Sequence, residues 1–165
     1  MERSMTMNPQ VTPEVFIDDT EAALLTDLLD LNLDNQNGYQ TAAAALHNTD
    51  YAALFAQYAQ ERQANADELK RLLNANGRTP DRVGTLSGLL HQGWLNLESL
   101  LTTGDASIFA ECERLDELTL AAYQDVMGQT TREELMSILR RQFTVIRDAH
   151  DRVKVLRGAL EQAQK

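Results

Sequence analysis

The feature that most constrains this chain is a spacing. From Thr20 onward, stripes of positions recur at alternating intervals of three and four residues, the period that stacks side chains on one face of an α-helix. The first stripe is Leu25, Leu28, Asn32, Asn35, Tyr39, Ala42 and Leu46. His47-Asn48-Thr49-Asp50 interrupts it and supplies capping side chains for a second helix. That helix carries Tyr51, Phe55, Tyr58, Arg62, Asn65, Leu69 and Leu72, and Asn76-Gly77 ends it in helix-stop chemistry. Val15-Phe16-Ile17, before the first stripe, reads either as a brief extended stretch or as a first helical turn.

After a loop containing Pro80, a shorter periodic segment from about Thr85 to Leu101 carries Trp94, and Thr103-Gly104-Asp105 closes it. A fourth helix follows on Phe109, Glu113, Asp116, Leu120, Tyr123 and Met127, with Gly128 as its stop. Thr130 stands three residues before Glu133, the spacing of a capping box. The last helix runs on Leu135, Leu139, Gln142, Ile146, His150, Val153 and Leu156. Alternating β-branched runs are missing, so the fold class is all-α.

Short turns join helices one and two, and likewise the last two, which makes each pair an antiparallel hairpin. Residues 77 to 104 between the hairpins are too many for a tight turn. The periodic segment within them, about 17 residues, spans roughly 25 Å as a helix, enough to return from one end of a bundle to the other. The expected architecture is an up-down-down-up four-helix bundle with an additional helix in the long crossover, the ferritin-like arrangement. The 165 residues amount to one such domain, over 20–165, preceded by a loose, Met-rich segment at 1–19.

The stripes are informative where they turn polar. Midway along each long helix, core-facing positions become Asn32 and Asn35 (with Asp34 beside them), Arg62 and Asn65 (with Glu61), Glu113 and Asp116, and Gln142 and His150. A buried carboxylate must be paired, protonated or bound to a cation. Two readings follow. In one, the layer is a metal site, where carboxylates and one imidazole from facing helices hold iron or manganese. In the other it is a metal-free network, in which Arg62 or Arg147 neutralises Glu61 and Glu113. The full di-iron pattern wants Glu-x-x-His on two helices. Here Ala64 stands three residues after Glu61 and Arg147 three before His150, so neither motif is complete.

Four blocks carry a resemblance. Asn37-Gly38-Tyr39, Leu90-His91-Gln92-Gly93-Trp94, Glu111-Cys112-Glu113-Arg114 and Ala149-His150-Asp151-Arg152-Val153 look like a bacterial ferritin-like family catalogued as of unknown function. It spans roughly residues 20 to 158. The resemblance implies a ferritin-like core with a helical crossover and no established activity. By analogy of fold it points towards iron handling or oxidative stress. Only Glu61, Glu113 and His150 stand where di-iron relatives place ligands, with Asp34 a loose fourth; the resemblance thus implies these three as ligands of any iron or manganese, with Asp34, Asp116 and Gln142 completing the shell.

Composition sets the outer bounds. The net charge of -10 argues against nucleic acid, which needs a basic face. Cys112, the single cysteine, excludes an internal disulfide and any four-cysteine metal cluster. The chain lacks an 18-residue apolar run and a signal-peptide pattern, so the expected location is cytoplasmic, with no membrane partner. Cys112 reads as a small apolar filler, His47 as a helix-end residue, and His91 with Trp94 as packing for the crossover or the edge of a small-molecule pocket. Leu24, Leu101, Ile108 and Leu135 fall partly off the main stripes, a second apolar strip that suggests a homodimer or higher homo-oligomer.

Overall fold

The computed structural model describes residues 15–80, 99 and 103–165. Four helices account for nearly all of them: α1 (Asp19–Ala45), α2 (Thr49–Ala75), α3 (Asp105–Gly128) and α4 (Glu133–Ala163). No strand occurs among the described residues. The crossover helix expected near 85–101, with His91 and Trp94, lies outside the described residues except for Ser99, which is helical.

Cross-helix hydrogen bonds give the directions. Asn32, Asn35 and Tyr39 of α1 meet Tyr123, Thr119 and Asp116 of α3 in turn, so these helices are antiparallel. Gln142 of α4 bonds the Asn65 carbonyl of α2, and Tyr58 shares a groove with Ala149, so α2 and α4 are antiparallel too. With the α1–α2 and α3–α4 hairpins, the bundle is up-down-down-up, as the long crossover requires. Packed neighbours are α1 with α2 and α3, and α4 with α2 and α3; α2 and α3 face each other across the diagonal.

The stripes form the core. Leu25, Leu28, Phe55, Leu69, Phe109, Leu115, Leu139, Ile146 and Val153 are all fully buried, each contributing about 1.5–3 kcal/mol by leaving water. At one end, Phe55 lies with its ring centroid 4.7 Å from Phe109 and 5.3 Å from Tyr39, the second pair edge-on. Ile108 and Leu135 are buried in this same core and Leu24 packs against it, so these three present no outward strip, while Leu101 lies outside the described residues. The reason is helix width: a bundle helix buries a stripe broader than its two central rows.

The ends differ from expectation in two places. α3 does stop at Gly128, its last helical residue, but without the positive φ of a glycine cap. The Thr130–Glu133 capping box does not form, because the Thr130 hydroxyl donates to the Val126 carbonyl and closes α3, while α4 starts after Arg132. A capping box forms instead at α1, where Asp18 accepts from the Glu21 amide at 2.8 Å and Glu21 accepts from the Asp18 amide at 2.9 Å. Residues 15–18 are non-helical and tied to the end of α2, since Asn76 accepts from the Ile17 amide and donates to the Val15 carbonyl. Asn48 caps α2 as its sequence suggests, accepting from the Asp50 and Tyr51 amides. Gly77, with φ of 68°, supplies the left-handed turn after α2.

Candidate metal centre

Arg62 occupies the middle of the bundle. Its position on the inward row of α2 points it along the diagonal, and its side chain is long enough to reach α3. There Nη2 donates to Asp116 Oδ1 at 3.2 Å, with both side chains fully buried. The Tyr39 hydroxyl donates to the other Asp116 oxygen. The guanidinium carbon also lies 5.5 Å from the centroid of the Tyr39 ring, a cation–π contact. Nε and Nη1 of Arg62 meet no acceptor among the described residues.

Burial pushes the Asp116 carboxyl above the ordinary aspartate range, against the opposing pull of Arg62 and of the Tyr39 bond. Burial pulls the other way on Arg62, but Asp116 prevails and holds its guanidinium above its ordinary value. The Tyr39 hydroxyl is pushed far up by burial and by Asp116, so it stays a proton donor. Cys112 is buried beside this layer, and burial first, then Asp116, raises its thiol well above the ordinary range. It fills space and is no nucleophile.

A second polar layer spans all four helices one to two turns away. Tyr123 receives a bond from Asn32 at 2.7 Å and donates to Gln142 at 2.8 Å, while Gln142 donates to Glu68 at 2.8 Å and to the Asn65 carbonyl at 3.3 Å. Arg141 pairs with Glu68 at the rim. Asn35 donates to the Thr119 hydroxyl, which returns its proton to the Leu115 carbonyl. Each amide and hydroxyl thus has a partner suited to a buried site.

The structure divides the six residues that the sequence assembled. Asp116 is committed to Arg62 and Tyr39, and Gln142 to the second layer. Asp34 is buried about 100° or more round α1 from the row of Asn32, Asn35 and Tyr39. Glu61 lies on the outer α2–α4 groove with Tyr58, Val145, Asp148 and Ala149, and accepts from Gln57 at 3.1 Å. Only Glu113 and His150 come together, and they do so at the α3–α4 seam, away from the centre. Nor do the arginines act as the network reading has it. Arg62 pairs with Asp116 and not with Glu61 or Glu113, and Arg147 is half-exposed beside Asp148 at 3.4 Å. Glu113 is paired instead with Arg157, which also holds Glu161.

At that seam Glu113, Glu117 and His150 each offer a ligand atom, all within 4.8 Å of one another. Glu113 and Glu117 are one turn apart on α3. His150 faces them from α4, its Nε2 at 3.4 Å from Glu117 and its Nδ1 at 3.0 Å from Asp151. Glu117 and Arg157 are the two members that sequence reading passes over. Glu117 lies one position beyond Asp116 on the outward side of the stripe, and Arg157 gains its meaning only from the α3–α4 register.

The fold and this polar core define an all-α, four-helix bundle with an ion pair through its centre. The chain belongs to a family described as a domain of unknown function, DUF2383, which it matches over residues 20–129. That range takes in α1 to α3 and stops short of α4, which carries His150 and Arg157. No curated protein matches the chain.

Proposed function

We propose that the protein is a ferritin-like bundle whose centre does without a metal, working as a cytoplasmic structural or protein-interaction module. The observation that carries this reading is Arg62, wholly buried where two cations of a di-iron or di-manganese centre would lie. A fixed guanidinium there repels a second positive charge and already neutralises Asp116. The carboxylates such a centre needs are dispersed, with Glu61 on one outer groove and Glu113 on another seam. These residues do not fit a two-metal group. The up-down-down-up order supports the ferritin-like relation as architecture, and fold alone does not bring an activity with it. The free, buried Cys112 suits a reducing compartment. Self-association is part of the proposal, although Ile108 and Leu135 of the suggested apolar strip are spent on the core.

The test is anaerobic loading with Fe(II), followed by air. The expected result is oxygen uptake no faster than in buffer and no oxo-bridged diferric absorption. Catalysed uptake with a diferric band would overturn the reading.

A further inference from the structure

We propose that Glu113, Glu117 and His150 form a mononuclear site for a divalent first-row transition cation at the α3–α4 seam, with Arg157 as the counter-charge that the cation displaces. The donor set carries this first. Two carboxylates and one imidazole, from two helices that already pack together, combine hard oxygen with borderline nitrogen ligands. Zn²⁺, Mn²⁺ and Fe²⁺ share that preference, and Mg²⁺ or Ca²⁺ would leave the imidazole unused.

The imidazole is also held as a ligand requires. Its Nδ1 faces Asp151 at 3.0 Å, which fixes the ring and leaves Nε2 directed at Glu117. A carboxylate on the far nitrogen is the usual outer partner of a metal-binding histidine. His150 is only 11 % exposed, so its ring direction is set by packing, whereas Glu117 at 58 % can swing inward to close the site. Ligand bonds of about 2.0–2.2 Å need a contraction of the present spacing, which that mobile side chain can supply.

Charge balance points the same way. Glu113, Glu117, Asp151 and Glu161 surround the seam against Arg157 and Arg114, the latter bonded to Glu111 at 2.6 and 3.1 Å and near enough to Glu117 to feel its charge. Arg157 already contacts both oxygens of Glu161 at 3.0 Å through Nη1. It can therefore release Glu113 and keep a partner, so the exchange of guanidinium for metal leaves no charge stranded. At the bundle centre the opposite holds, since Arg62 has nowhere else to go. The seam site does not depend on the proposed metal-free centre, and iron oxidation at the centre would leave it untouched.

Titration of the metal-stripped full chain with Zn²⁺ by calorimetry tests this, with Glu117→Gln, His150→Gln and Arg157→Gln in parallel. The expected result is one saturable site, weakened about tenfold or more in Glu117→Gln and His150→Gln and tightened in Arg157→Gln. Co²⁺ in place of Zn²⁺ should give visible absorption that His150→Gln alters. Because Glu117 is exposed, its variant keeps the fold, so the test does not rest on His150 alone. Absence of saturable binding below about 1 mM, or affinity unchanged in both ligand variants, would overturn the proposal.

Discussion

Two clusters on α3 show how one helix can hold carboxylates in two different states. Asp116 faces the bundle axis, and Glu113 and Glu117 face the seam with α4, although all three lie within about one turn. Asp116 is fully buried and meets a guanidinium equally buried. Glu113 meets Arg157, which it shares with Glu161, and Glu117 is more than half exposed. The inward cluster is neutral as a pair and closed. The outward one has carboxylates to spare and a cation with a second partner. Burial thus decides which carboxylates are locked into the fold and which remain available for exchange.

The sharpest way to break this contrast is at the centre. Arg62→Met should lower unfolding free energy by about 3–5 kcal/mol at neutral pH, since it strands a buried carboxylate. The loss should shrink in acid. Asp116 titrates above its ordinary value of 3.8 in the folded chain, so its stabilising contribution is complete below that value and is lost as pH rises through the folded one. Removing Arg62 raises the folded value further and widens the window upward. Chemical denaturation at several pH values reads this directly.

A smaller effect is expected one layer away. Tyr123→Phe should cost about 1–3 kcal/mol, because Gln142 Oε1 loses its donor and Asn32 one of its two acceptors. The same denaturation measurement gives it, with no pH dependence between 5 and 8 as the tyrosine stays protonated throughout, its hydroxyl being pushed up by burial. At the seam, Glu117→Gln should shift stability by no more than about 0.5 kcal/mol in metal-free buffer. A larger loss would mean that the seam, like the centre, is part of what holds the bundle together.

Much of this was legible in the residues. The three-and-four spacing picked out the rows of Leu25, Phe55, Phe109 and Leu139 as core, and the long gap between hairpins implied the helix directions. The spacing also marked Arg62, Asp116 and Gln142 as buried polar positions. It could not say who pairs with whom, because that depends on the register between helices far apart in sequence. Arg62 reaches Asp116 across the diagonal, 54 positions on, and Arg157 finds Glu113 at a separation of 44. Glu113 stood on its stripe and Glu61 only beside one, and on the diagonal pair α2 and α3 they take separate partners, Gln57 for Glu61 and Arg157 for Glu113. The misplaced capping box has a local cause. Thr130 can either cap a following helix or bond back to the preceding one, and Val126 was the available carbonyl.

The central claim is that Arg62 is present to neutralise Asp116, and a double-mutant cycle tests it most directly. Stability at neutral pH would be measured for the native chain, Arg62→Met, Asp116→Asn and the double variant. Asparagine keeps an oxygen for the Tyr39 hydroxyl while removing the charge. The expected result is that Asp116→Asn restores much of what Arg62→Met loses, with a coupling of about 1 kcal/mol or more that fades in acid. Additive losses, with the double variant no more stable than Arg62→Met, would contradict the account.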